Sequence, residues 1–265
     1  MEKTFPSGIK LKLVSRESDL YLDMALSMLD VIVKCRKENR VCPMIVPVGP
    51  TDQYLVLSEL VNRLEIPLDH VHFFNMDEYL IDPATPIDEN HFMSFHARMN
   101  SEFYSRVKPE LAIPVSQRHF PAPGHEKEYD ELLASLGGAE ACFGGLGING
   151  HVAFNEPPAD DDPITVEEFA ALGTRVLPIS RETRTINAYG YQRGDIRGMP
   201  EYCITIGMKQ ILSARSVYIA LTRDWQHGIA KHVFNDKPQP QIPSSLLQNH
   251  PNVLFVAPES IGAGL

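Results

Sequence analysis

Along the chain, hydrophobic positions alternate between helical and strand-like spacing. Leu20, Met24, Met28 and Val31 fall on one helical face, flanked by Ala25, Leu29 and Ile32. That three-to-four-residue spacing predicts an amphipathic helix. Ser18 is its expected N-cap, with Asp19 in the first turn at the positive end of the helix dipole. Residues 11–15 read as a short strand or lead-in. Residues 43–48 form an apolar run of strand length that ends in the turn Gly49-Pro50-Thr51-Asp52, and 51–64 return to helical spacing through Leu55, Leu57, Leu60, Val61 and Leu64. The same reading predicts strands at 71–74, 141–146, 202–206, 217–221 and 253–257, and helices at 89–105, 125–136, 183–189 and 225–234. Continuously apolar strands alternating with helices build a parallel sheet covered on both faces by right-handed crossovers. The predicted fold is α/β, a three-layer α/β/α sandwich around a mainly parallel, Rossmann-like sheet, with 1–265 as a single domain. The prolines of 109–123 are read as an ordered loop within it, not a linker. The acidic, proline-containing stretch 157–168 is read either as a mobile lid or as a solvated loop.

Composition adds exclusions. With 43% hydrophobic and 22% charged residues, the chain has ample material for a sizeable core. A net charge of −10 argues against nucleic acid or an anionic membrane as partner. It also means that an anionic ligand must be held by local donors, not by the general field. Cys35, Cys42, Cys142 and Cys203 lack CxxC or zinc-like spacing and read as reduced thiols of a cytoplasmic protein. The start lacks a signal peptide's apolar core, and no apolar run reaches 18 residues. No P-loop, GxGxxG or HExxH occurs, so neither a metal nor an organic cofactor is expected.

The densest chemistry lies in 142–157. Gly144, Gly145, Gly147 and Gly150 break an apolar run, His151 follows at once, and Asn149, Asn155 and Glu156 crowd the same loop. Glycines let the backbone approach a ligand closely. A histidine just past such a turn can project into a crevice, where a nearby carboxylate fixes its tautomer and raises its basicity. A Gly-rich loop with a structural histidine is the plain alternative, and the crowding of polar groups weighs against it. Asp77 lies just past the predicted strand 71–74. In open α/β sheets, ligands bind beyond the carboxyl ends of strands, so one crevice can hold both groups.

These residues carry a resemblance. Gly147-Ile-Asn-Gly-His-Val-Ala-Phe-Asn-Glu-Pro157 resembles the active-site signature of glucosamine-6-phosphate deaminases (isomerases), and Phe74-Asn-Met-Asp-Glu-Tyr79 resembles that family's other signature. The likeness continues through Thr183-Arg184 and Leu247-Gln248-x-His250. It implies an aldose–ketose isomerase with deamination, acting on a hexosamine phosphate of the glucosamine or galactosamine type and releasing ammonia. Asp77 would shuttle the carbon-bound proton, His151 would open the sugar ring, and Glu156 and Asn149 would support the histidine. Position 149 is aspartate in some members, so Asn149→Asp is expected to be tolerated. Tyr79 and Phe154 are expected to be packing residues. The resemblance also implies a homo-oligomer as a possible assembly.

On the substrate side, Gly49, Thr51, Gly145, Gly147 and Gly150 are the expected close-approach positions. The likeness thins at the phosphate: Pro50 has no N–H to give, Asp52 adds negative charge, Tyr189 stands where an arginine is expected, and Gln226 where a lysine is. Thr51, Arg223 and Lys209 are substitute donors, and Arg181 or Arg184 is the expected anion partner. Weak activity on glucosamine 6-phosphate, and better activity on an amino sugar with another anionic group, is therefore expected. Two alternatives stand beside this reading. The related 6-phosphogluconolactonases have small and apolar residues after their Gly-His, and residues 152–157 here favour the deaminase. A non-catalytic sugar-binding regulator would not need Asp77, His151 and Glu156 together.

Overall fold

The computed structural model describes residues 2–159, 161 and 163–265. Among them, eight strands form the main sheet: β1 (Glu2–Thr4), β2 (Lys10–Val14), β3 (Cys42–Val46), β4 (Val71–Asn75), β7 (Arg118–His119), β8 (Ala141–Gly145), β11 (Val217–Ala220) and β12 (Val253–Pro258). Their order is β1-β2-β12-β11-β8-β3-β4-β7, and every neighbouring pair is parallel except β1 with β2. Alternate residues of the buried strands feed two separate cores. Met44, Val46, Phe143, Tyr218 and Val256 join Leu20, Met24, Met28 and Ile32 of helix Glu17–Lys37 and Leu57 and Val61 of helix Asp52–Leu64. Ile45, Cys142, Ile219 and Phe255 face the other way, onto Tyr129 and Leu133 of helix Glu126–Ser135 and Ala230, Val233 and Phe234 of helix Gln226–Asn235. A sheet buried on both faces explains why β3 reads as an unbroken apolar run. The layered, mainly parallel fold is as expected from the sequence.

A second sheet was not expected. It has the order β6-β5-β10-β9 and is antiparallel throughout, from β5 (Asp77–Asp82), β6 (Thr85–Pro86), β9 (Arg175–Pro178) and β10 (Tyr202–Thr205). The strand foreseen at 202–206 therefore belongs here and not to the main sheet. Other boundaries shift for local reasons. Helix Glu17–Lys37 has Arg16 as N-cap, whose N–H donates to the Asp19 carboxylate at 3.1 Å, so Ser18 sits inside the first turn. The segment 89–105 becomes helical only at Phe95, where Ser94 Oγ accepts from Ala97 N–H, and it continues as a π-helix over Asn100–Tyr104. The loop 109–123 is ordered through β7, which pairs with β4. In the 157–168 stretch, Asp160 and Asp162 lie outside the described residues, so the lid reading stays with the sequence; Val166–Ala170 is a helix capped by Thr165. Among the described residues, no helix is long and apolar enough to cross a membrane.

Candidate active site

Met76 is the joint between the two sheets. Its N–H donates to Val46 O beside the parallel sheet, and its carbonyl accepts from Ile206 N–H beside the antiparallel one. The chain thus leaves the carboxyl end of β4 and sets Asp77 at the first position of β5, opposite Thr205 of β10. Asp77 is buried, and burial raises its pKa well above the usual carboxylate range, with the charge of Glu78 adding to the rise. Glu78 does different work. Its oxygens accept from Tyr79 N–H, Phe95 N–H, His96 N–H and the Ser94 hydroxyl, so it fastens the start of helix Phe95–Met99. Two adjacent carboxylates therefore divide into one held by four donors and one open to the cleft.

His151 arrives from the other side, on the loop after β8. Its Nδ1–H donates to Asn149 Oδ1 at 2.7 Å, and Asn149 Nδ2 donates to Glu156 Oε2 at 2.6 Å. A carboxylate can only accept, so the amide nitrogen must face Glu156 and the amide oxygen must face the imidazole. That chain fixes the proton on Nδ1 and leaves the Nε2 lone pair free. Glu156 itself stands 3.8 Å from Nδ1, behind the amide. Burial lowers the His151 pKa, and the Glu156 charge opposes that shift without reversing it. The ring needs a bare backbone beside it: a Cβ on Gly147 would lie 2.1 Å from Nε2. Thr205 ties the loop to the second sheet, its hydroxyl accepting from Phe154 N–H at 2.9 Å. Asn155 Nδ2 donates to Ile206 O, and Arg175 Nη1 donates to Asn155 Oδ1. Strand β10 thereby positions Asp77 and His151 against each other.

Both groups line one cleft of about 1060 Å³. Gly49, Thr51, Gly145, Gly147 and Tyr189 line it too. Gly150, Arg181 and Arg184 do not appear in its wall. Gly150 makes the turn, with φ +87° and its N–H on Gly147 O. Arg184 is ion-paired with Glu201, and Arg181 is exposed at the start of helix Arg181–Tyr191, so the expected anion partner is corrected on both counts. Gln226 is also committed elsewhere: it accepts from Thr222 and Arg223 N–H and donates to Leu146 O. Tyr79 and Phe154 pack as foreseen, with ring centroids 5.5 Å apart. Sequence reasoning missed Arg98 and Tyr191, which line the cleft from segments with helical spacing and no motif of their own. It also missed the contact of the Thr183 hydroxyl with His151, 3.4 Å from Nδ1.

The amide at 149 changes one expectation. Aspartate there could accept from His151 but would set a second carboxylate where an N–H now meets Glu156. Asn149→Asp is therefore expected to cost about 1–3 kcal/mol of stability near neutral pH. Protonating one of the pair would recover much of that loss in acid. Thermal melting at pH 5 and pH 8 checks this, and equal melting of variant and parent at pH 8 would refute it.

No protein-family model matches the chain. Among curated relatives, a glucosamine-6-phosphate deaminase of Vibrio campbellii is 30% identical over 221 residues, covering 79% of this chain and 74% of that relative. The chain belongs to the glucosamine-6-phosphate deaminase family. Another relative of that name, from Rhodopirellula baltica, is 29% identical over 217 residues, covering 80% of this chain and 78% of its own. Among solved structures, a monomeric glucosamine-6-phosphate deaminase superposes with a TM-score of 0.80 at 21% identity, covering 96% of this chain and 98% of that one. The 6-phosphogluconolactonase of Trypanosoma brucei superposes with a TM-score of 0.69 at 15% identity over the full length of both chains. The fold is thus shared by deaminases and lactonases, and only the site can separate them.

Proposed function

We propose that the protein is an aldose–ketose isomerase and deaminase that converts an amino-sugar phosphate of the glucosamine 6-phosphate type to the ketose phosphate and ammonia. The observation that carries this reading is the pairing of an open, buried carboxylate, Asp77, with a tautomer-fixed imidazole, His151, in one cleft. His151 Nε2 takes the proton of the C1 hydroxyl and returns one to the ring oxygen, which opens the ring. Asp77 takes the C2 proton and delivers it to C1 while O1 gains a proton and the amine gives one up, turning the amino aldehyde into a ketimine with a C1 hydroxyl. One water then adds at C2, and ammonia leaves as the C2–N bond breaks. Lactone hydrolysis would need a base for water but no carbon-acid base, and Asp77 would have no part in it. The reading places the partner as a small sugar phosphate.

Ammonia and ketose release from glucosamine 6-phosphate and galactosamine 6-phosphate, measured together by coupled assay, tests the reaction. Equal amounts of the two products are expected from at least one sugar. Hydrolysis of 6-phosphogluconolactone with no ammonia from any amino sugar would overturn it.

A further inference from the structure

Among the described residues, two arginines line the cleft, and they differ in what they already hold. Arg223 lies 3.9 Å from Glu17 in a largely exposed ion pair, and Asp52 and Asp224 line the same cleft. Arg223 thus stands among three carboxylates, a poor setting for a further anion. Arg98 sits in helix Phe95–Met99, whose start is fastened by Glu78, the neighbour of Asp77 in β5. Its guanidinium lies over the Tyr191 ring, 4.8 Å from the centroid. Stacking of that kind fixes the guanidinium plane and leaves its edge N–H donors free for a ligand. Among the described residues, no acceptor takes a hydrogen bond from the Arg98 guanidinium, no carboxylate pairs with it, and its Nε is buried without a partner. Buried polar groups are nearly always satisfied, and an open arginine in a cleft wall points to an absent acceptor. The stack also reaches the turn after β3, since a Cβ on Gly49 would lie 3.9 Å from the Tyr191 hydroxyl.

We propose that Arg98, stacked on Tyr191, is the anion anchor of the cleft, holding an anionic oxygen group, phosphate or carboxylate, carried by the amino sugar. The sugar rests on the reading above; the anchor itself rests on the unpaired guanidinium. Guanidinium matches either group by paired N–H donors, so the discrimination between them is left to experiment.

The test compares wild type, Arg98→Met, Arg98→Lys and Arg223→Gln on glucosamine, glucosamine 6-phosphate, galactosamine 6-phosphate and the 6-carboxylate sugar 2-amino-2-deoxyglucuronate. Arg98→Met is expected to raise KM about 10- to 150-fold for the anionic sugar that is used, with a much smaller change in kcat. Its kcat/KM preference for that sugar over glucosamine falls with it, and Arg98→Lys restores part of the loss. Whichever anionic sugar wild type prefers identifies the group. An unchanged KM, an equal loss on glucosamine, or a loss confined to Arg223→Gln would overturn the anchor. If wild type releases ammonia from none of these sugars, the proposed reaction fails, and calorimetry with 6-phosphogluconate then decides the anchor alone. Binding weakened at least about tenfold by Arg98→Met supports it; equal binding, or none to wild type, overturns it.

Discussion

Asp77→Asn is expected to lower turnover by at least about a hundredfold while making the protein more stable at neutral pH. Both effects have one cause. The carboxylate is buried beside the charge of Glu78, which already takes the donors of Tyr79, Ser94, Phe95 and His96, so ionising Asp77 is costly in the folded state. A base of that kind is strong when it does ionise, which suits removal of a carbon-bound proton. Asparagine keeps the shape and cannot accept the proton. The stability effect has a definite sign. In the unfolded chain an aspartate ionises near pH 3.9, and in the fold it holds its proton to higher pH. As pH rises through that interval the unfolded state sheds the proton first, so wild type loses stability that the variant keeps. The gain at pH 8 should be on the order of 1 kcal/mol, a rise of about 2–4 °C in melting temperature, and it should vanish below about pH 4. Near-normal turnover by the variant on a verified substrate would remove Asp77 from the chemistry. A stability gain equal at pH 4 and pH 8 would show that packing, not charge, is responsible. The same raised pKa places the acid limb of the wild-type rate profile above the range of a free carboxylate.

The main sheet was legible because burial on both faces writes itself into the chain as apolar runs, as in β3, β8 and β11. The second sheet was not. β5 follows β4 with only Met76 between them, so two strands read as one strand and its tail. β9 is half-buried along most of its length, and its apolar run is only Val176-Leu177 before Pro178. The site divides along the same line. His151, Asn149 and Glu156 lie on one loop, where local sequence suffices to bring them together. Asp77 came from its strand-end position and from the resemblance. The anion side depends on which long side chains happen to find carboxylates, and spacing cannot show that. Arg184 reached Glu201 and Arg223 reached Glu17, while Arg98, in a segment with no motif, reached only the ring of Tyr191.

His151→Gln is expected to slow turnover of the ring-closed amino sugar by about two to four powers of ten. Glutamine can still hydrogen-bond in the cleft, but it cannot carry a proton from one oxygen to another. The loss should be smaller in the reverse direction, from open-chain ketose and ammonia, because ring opening is then not required of the enzyme. Asn149 holds the imidazole with its proton on Nδ1, and burial keeps the ring neutral at ordinary pH, so Nε2 is available as the base. A pH scan separates this from a structural role. An unfolded histidine takes up its proton near pH 6.5, and buried His151 takes it up at lower pH. As pH falls through that interval the unfolded state binds the proton first, and wild type loses stability. The variant, with nothing to protonate there, should lose less between pH 7 and pH 5. Equal kinetic losses in both directions at saturating substrate would assign His151 to substrate binding. A melting curve that falls with acid as steeply in the variant as in wild type would show that the imidazole is not the group burial holds neutral.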